Sequence, residues 1–360
     1  MKRSAVFAAV FGLSLGLCGS VVVAQSPGGG SPDFKDAPSP EAPATKPGRN
    51  TVPRGDSISL RPKWELGEVT RYTLTQTSTT KLPSLDDAGA PVGNQTMVQR
   101  IGLQLTPTKV NPEGGATVEI KITSVKMSSK GGVMEFEFDS TKPPAAPSTP
   151  ASPGSPPAAP GQPAAPAGPD TSVINKMLSQ MVGSTMVAEF DRDGNITKMT
   201  GGEAFASAAT MAGVGGGGPS LFTSLTPRVT GNGQPKVGET WSNIADLSTP
   251  LTGAVRMDVK HTLRSATQKD ATVGFVGTML PPSEGTINTA DAVIRSASQQ
   301  GTYVWDRQRG QLRSMSMDLR LEAQIALVGN APFTSATTTT IERVDEPAGP
   351  SRPGPARRTP

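Results

Sequence analysis

Most catalytic chemistries depend on histidine or cysteine, and this chain has almost none of either. It contains one Cys and one His among 360 residues. A single cysteine, Cys18, rules out any intramolecular disulfide. A single histidine, His261, cannot form a zinc site, which needs three or four nitrogen or sulfur ligands, and it serves better as a packed or solvent-facing side chain. Aromatic residues make up only 4%, too few for a sugar- or base-stacking surface. Charge is also nearly balanced, 34 basic against 30 acidic residues, and scattered, so no basic face for nucleic acid is expected. What the chain has in excess is Gly (40) and Pro (35), with only 35% hydrophobic residues. That mixture describes a folded part diluted by segments that bury little.

The N-terminus carries Lys2 and Arg3, then a run of apolar and small residues from Ala5 to Ala24. Val22-Val23-Ala24 before Gln25 has the small-residue character of a signal-peptidase site, so residues 1–24 are expected to be a secretory signal. The protein is then secreted or periplasmic, with no transmembrane span after cleavage. Lipid attachment at Cys18 is a secondary reading, since a lipoprotein signal wants a small residue where Leu17 stands. Residues 25–57, rich in Pro, Gly, Ser and Ala, read as a flexible spacer. Arg54-Gly55-Asp56-Ser57 spells an adhesion tetrapeptide, which coincidence explains in such a linker.

From Ser314 to Leu327 the residues alternate without a fault. Met315, Met317, Leu319, Leu321, Ala323, Ile325 and Leu327 fall on one side, and mostly polar residues on the other. A period of two means a long strand with one buried face. Tyr303-Val304-Trp305 form a preceding strand, joined through Asp306–Gly310 as a hairpin. Similar alternation begins near Val69 and recurs around Gln95–Thr106, Val118–Val125, Met134–Asp139, 254–263, 271–280 and 333–344. Residues 141–170 interrupt this with a Pro/Ala-rich insertion that has nothing to bury, and residues 345–360 form a similar tail. Helical spacing appears at Val173, Ile174, Met177, Leu178 and Met181, and again among the small residues of 203–211.

Two features occur twice. Pro62–Val69 and Pro235–Trp241 each carry Gly-Glu ahead of a strand, and Phe190–Ile196 matches Trp305–Leu312 around an Asp-Arg…Gly turn. Internal duplication is one explanation, and shared hairpin chemistry is the other. The expected fold is therefore mainly β (α+β). It is a large curved antiparallel sheet or half-barrel of long strands, with two or three short helices on one face. Residues 58–344 would make a single β-rich domain.

Motifs for chemistry are weak. Asp191, Asp193 and Asn195 begin like a calcium loop, but the glycine and the closing acidic residue are misplaced, which leaves a polar turn. The glycine run 215–218 lacks the ending of a phosphate loop. No Ser-x-x-Lys or nucleophile elbow occurs, so the chain reads as non-catalytic with no cofactor or metal. A Ser- or carboxylate-based hydrolase is a distant third reading.

Trp64–Thr77, Pro235–Trp241 and the Asp191–Met199 hairpin together resemble an uncharacterised family of secreted bacterial β proteins. In plan that family is similar to the periplasmic lipoprotein-carrier fold, an incomplete barrel closed by helices. The likeness is one of fold and has little functional weight. The first functional expectation is an exported cell-envelope protein holding a lipid or other apolar molecule on its concave face. Met177, Met181, Trp305, Met315, Met317 and Leu319 are the candidate lining, because Met is plastic enough to fit variable apolar partners. The alternative is a cell-surface module with a closed core that binds another envelope protein.

Overall fold

The computed structural model describes residues 21–22, 56–81, 94–131, 135–142, 171–201, 224–226, 234–249, 253–280, 292–325 and 331–345. The expected signal (apart from 21–22), the spacer up to 55, the Pro/Ala-rich insertion from 143, the second helix and the tail after 345 lie outside them.

The described chain is mostly β, as its alternation predicts. Its strands are β1 (Val21–Val22), β2 (Thr70–Lys81), β3 (Asn94–Val110), β4 (Ala116–Lys130), β5 (Phe136–Asp139), β6 (Thr185–Phe190) and β7 (Ile196–Gly201). After these come β8 (Thr240–Thr249), β9 (Gly253–Ala266), β10 (Asp270–Met279), β11 (Ala292–Asp306), β12 (Gln311–Ile325) and β13 (Ala331–Val344). One helix, α1 (Thr171–Met181), is described, and it packs on β4 and β5. No helix among the described residues is long and apolar enough to cross a membrane.

All strands belong to one antiparallel sheet, in the order β1-β8-β9-β10-β11-β12-β13-β2-β3-β4-β6-β7, with β5 beside β4. The pairing of β13 with β2 joins the two meanders into one sheet. The sheet is open, because its two end strands, β1 and β7, are not paired with each other. It nevertheless bends strongly. Phe190 of β6 and Trp305 of β11 line one small cavity. Six strand steps of about 4.8 Å would hold them about 29 Å apart on a flat sheet.

The end of the sheet at the Asp306–Gln311 and Asp191–Ile196 turns, here the turn end, is crossed by the segment before β2. Ile58 N donates to Pro235 O (2.9 Å) beside β8, and Lys63 N to Gly310 O (3.1 Å) at the β11–β12 turn. Arg61 Nε reaches Asp193 Oδ1 (2.8 Å) in the β6–β7 turn. Ile58 and Arg61 are three residues apart, a reach of about 10 Å, yet they touch turns near opposite edges. Trp64 packs on Phe190 with ring centroids 5.0 Å apart, filling the space beneath.

The twin features share backbone detail. Gly67 N donates to Pro107 O (2.9 Å) on β3, and Gly238 N to Leu263 O (2.7 Å) on β9; both glycines have positive φ. In the two hairpin turns, Asp191 Oδ1 accepts from the backbone N of Asp193 and Asn195. Asp306 Oδ1 likewise accepts from Gln308 and Arg309. The following strand pairs also agree, β4 with β6 and β10 with β11.

Several boundaries differ from expectation. The Ser314–Leu327 strand begins earlier, at Gln311, and is described as far as Ile325, with 326–327 outside the described residues; its partner is longer than Tyr303–Trp305, starting at Ala292. β8 starts at Thr240, where Gly238-Glu239 leads into a strand, but its run to Thr249 has no clear alternation to mark it. Thr-Trp-Ser-Asn-Ile-Ala-Asp-Leu-Ser-Thr has mixed periodicity, and the ladder to β9 sets its conformation.

Candidate functional site

The alternating pattern of each strand sends one set of side chains to the buried face. On β2 that set is Thr70, Tyr72, Leu74, Gln76, Ser78 and Thr80. Register decides what each meets. Leu74 stands between Ile101 on β3 and Ile341 on β13, an apolar rung. The next buried position, two residues on, places Gln76 between Gln99 and Thr339. Ser78 then lies between Met97 and Thr337, and Thr80 between Gln95 and Ser335. The same face thus changes from apolar to polar at one level in three adjacent strands.

These polar side chains are deeply buried: Gln99 is 1% exposed, Thr337 3%, Gln95 4%, Thr339 6% and Gln76 8%. Some pair with one another. Thr337 Oγ1 donates to Ser78 Oγ (3.1 Å), and Gln95 Nε2 to Ser129 Oγ (3.0 Å) on β4. Others have no hydrogen-bond partner among the described residues: Gln99 Oε1 and Nε2, Gln95 Oε1, Thr339 Oγ1, and Gln299 Oε1 on β11. Leaving a buried polar atom unpaired costs roughly 1–3 kcal/mol, so five gathered on one face stand out. The sequence reading missed this patch, treating the threonines of β2 only as strand formers. Its signal was present in the spacing Gln76/Ser78/Thr80, Gln95/Gln99 and Ser335/Thr337/Thr339.

Of the expected lining residues, Met315, Met317 and Leu319 alternate along the buried face of β12, with Met315 and Leu319 buried and Met317 half-buried. Leu319 is paired across the sheet with Gln299 on one side and Thr337 on the other. Trp305 sits deeper, 1% exposed, at the turn end. Met181 is fully buried and Met177 half-buried on α1. That helix covers β4 and β5, so three strands separate it from β12 along the sheet. The structure therefore places Trp305, Met315, Met317 and Leu319 on the buried strand face, while the helix residues lie over β4 and β5, with Met181 part of the same buried core.

At the turn end the face is tightly filled. A cavity of about 20 Å³ remains among Trp64, Tyr72, Leu105, Phe190, Trp305 and Leu312, room for about one water. Beside it the Arg343 and Asp306 side chains, 3% and 4% exposed, form a 2.8 Å ion pair. Burial pushes the Asp306 carboxyl up, but backbone donors at Arg309 and Gln308 and the Arg343 guanidinium outweigh it and hold the carboxyl below its usual range. Burial raises the Tyr303 phenol, whose hydroxyl has no partner among the described residues.

His261 is packed, not solvent-facing alone. Its ring lies 5.5 Å from Trp241 and 5.7 Å from Phe275, and its Nε2 is 3.0 Å from Asn243 Oδ1. The Asp191 carboxylate is held by its own turn, and Asp193 by Arg61. A groove of about 490 Å³ beside that turn is lined by charges of both signs, including Lys109, Glu113, Glu189 and Arg192. Among the described residues no three metal-ligating side chains gather.

No family model and no curated relative matches this chain. Among solved structures, lipovitellin, from a study of its lipid–protein interactions, aligns over 81% of this chain with 11% identity and a TM-score of 0.43. The chain spans 26% of the lipovitellin length. DynF of the dynemicin biosynthesis pathway of Micromonospora chersina gives 6% identity and a TM-score of 0.19, over 85% of this chain and 94% of its own. An outer membrane channel of Pseudomonas putida F1 gives 8% identity and 0.21, over 84% of this chain and all of the channel. Likeness at these scores is too slight to argue function from.

Proposed function

We propose that the protein is a non-catalytic, exported cell-envelope protein that shelters a lipid or similar apolar molecule against the buried face of its sheet. The observation that carries this reading is the bend of one open sheet. Its turn end is sealed by Trp64 and the 58–66 segment, while Met315, Met317, Leu319 and Met97 line the face beyond. A bent sheet sealed at one end and unpaired along its edges makes an apolar interior that a chain-like ligand can enter. Methionine on that face adapts to ligands of varied shape.

A second reading, an envelope-protein interaction module with a closed core, draws on the tight packing around the 20 Å³ cavity at the turn end. Native mass spectrometry of the exported protein separates the two. The carrier reading expects a co-purifying apolar molecule that organic extraction removes; protein that flies only at its polypeptide mass, before and after extraction, refutes it.

A further inference from the structure

We propose that the polar patch centred on Gln99, Gln76 and Thr339 recognises the uncharged, hydrogen-bonding head of an amphiphile. This rests on the carrier reading and adds the chemistry of the ligand's polar end. Three observations carry it.

First, the patch is an assembly and not a stray side chain. The consecutive strands β2 and β3, and β13 from the far end of the fold, each turn polar at the same rung, where Thr339, Gln76 and Gln99 stand side by side. Second, the atoms there are unspent. Gln99 Oε1 and Nε2, Thr339 Oγ1 and Gln299 Oε1 are buried with no partner among the described residues. Gln99 alone offers two N–H donors and an acceptor. A ligand carrying hydroxyl, ester or amide groups matches that mixture of donors and acceptors.

Third, the patch carries no charge. Among the described residues, the buried polar side chains of this half are all Gln, Ser or Thr. A carboxylate or phosphate buried here would lack a cation, which buried charge requires. The buried Asp306–Arg343 pair lies at the turn end and is already matched. Met97, Met317 and Leu319 adjoin the patch and suit the tail. The ligand class is therefore a neutral amphiphile such as a monoacylglycerol or an N-acyl alcohol, in preference to a fatty acid or an anionic phospholipid.

The test titrates the delipidated full chain with monoolein, oleate and 1-octadecene, read by tryptophan fluorescence. These probes share a long hydrocarbon tail and differ in the head. Monoolein should bind at least about tenfold more tightly than either of the others. Gln99→Met and Thr339→Val should each weaken monoolein about five- to tenfold and leave octadecene unchanged. Circular dichroism checks that each variant folds, and either one alone suffices. Equal binding of all three probes, indifferent to both variants, overturns the head site and leaves the carrier reading intact. Binding of none overturns both. A Gln99→Met protein that melts higher with unchanged monoolein affinity assigns the patch to ordered water only, and also overturns the proposal.

Discussion

Ile101 and Gln99 are two residues apart on one strand, both almost wholly buried, and their surroundings are opposite. Around Ile101 the neighbours Leu74 and Ile341 complete an apolar layer that continues to Trp305, Phe190 and Trp64. Around Gln99 the neighbours Gln76 and Thr339 belong to a layer in which several polar atoms have no partner among the described residues. The first half has atoms unpartnered among the described residues too, at Trp64 Nε1, Trp305 Nε1, the Tyr303 hydroxyl and Arg343 Nη1, but its layer is built mainly of apolar contacts. The second differs in that amides and hydroxyls occupy the buried position of three adjacent strands at one rung, where such groups are ordinarily paired. A protein that needed only a core would gain by filling both layers with aliphatic side chains.

The largest effect that tests this contrast lies in the apolar layer. Trp305→Ala should cost about 3–5 kcal/mol in urea unfolding, since the surrounding rings cannot collapse into so large a space. Ile101→Gln carries the polar layer one rung toward the turn end and should cost about 3 kcal/mol. A loss below about 1 kcal/mol would show that the boundary between the layers is soft.

The ion pair at the turn end predicts a pH dependence. Asp306 has a folded pKa held below its unfolded value of about 3.9. Its stabilising effect is complete above that unfolded value and fades as pH falls below about 4 through the folded pKa. Urea midpoints should therefore drop on the acid side of pH 4, and Asp306→Asn should flatten that drop while lowering stability at pH 7. An unchanged acid slope in the variant would mean other carboxylates govern it.

The smallest effect has the most informative sign. In delipidated protein, Gln99→Met should raise stability by about 1 kcal/mol, because it removes an amide without partners and keeps the volume. With ligand present, the same substitution should reduce ligand-induced stabilisation. Thermal melts with and without monoolein read both.

Much of the fold is legible in the chain itself. Alternation in β2, β3, β12 and β13 follows directly from the order of polar and apolar residues, because a strand exposes successive side chains to opposite faces. The Asp306 and Asp191 turns are equally visible, since an aspartate that caps its own turn and a glycine at positive φ are local requirements. The helix at Thr171–Met181 shows in its apolar spacing. Only the start of β8 shows, after Gly238-Glu239; the rest of that strand takes its conformation from the ladder to β9.

The candidate site divides in the same way. That β12 would present Met315, Met317 and Leu319 together is a property of one strand, and the sequence alone determines it. That Met177 and Met181 lie three strands away, and that Thr339, Gln76 and Gln99 form one rung, depends on the pairing of β13 with β2 and on its register. Those two strands are separated by most of the chain. Side-chain parity is a local property of each strand, but which strand lies beside it is set by long-range hydrogen bonding, and only the tertiary structure decided that.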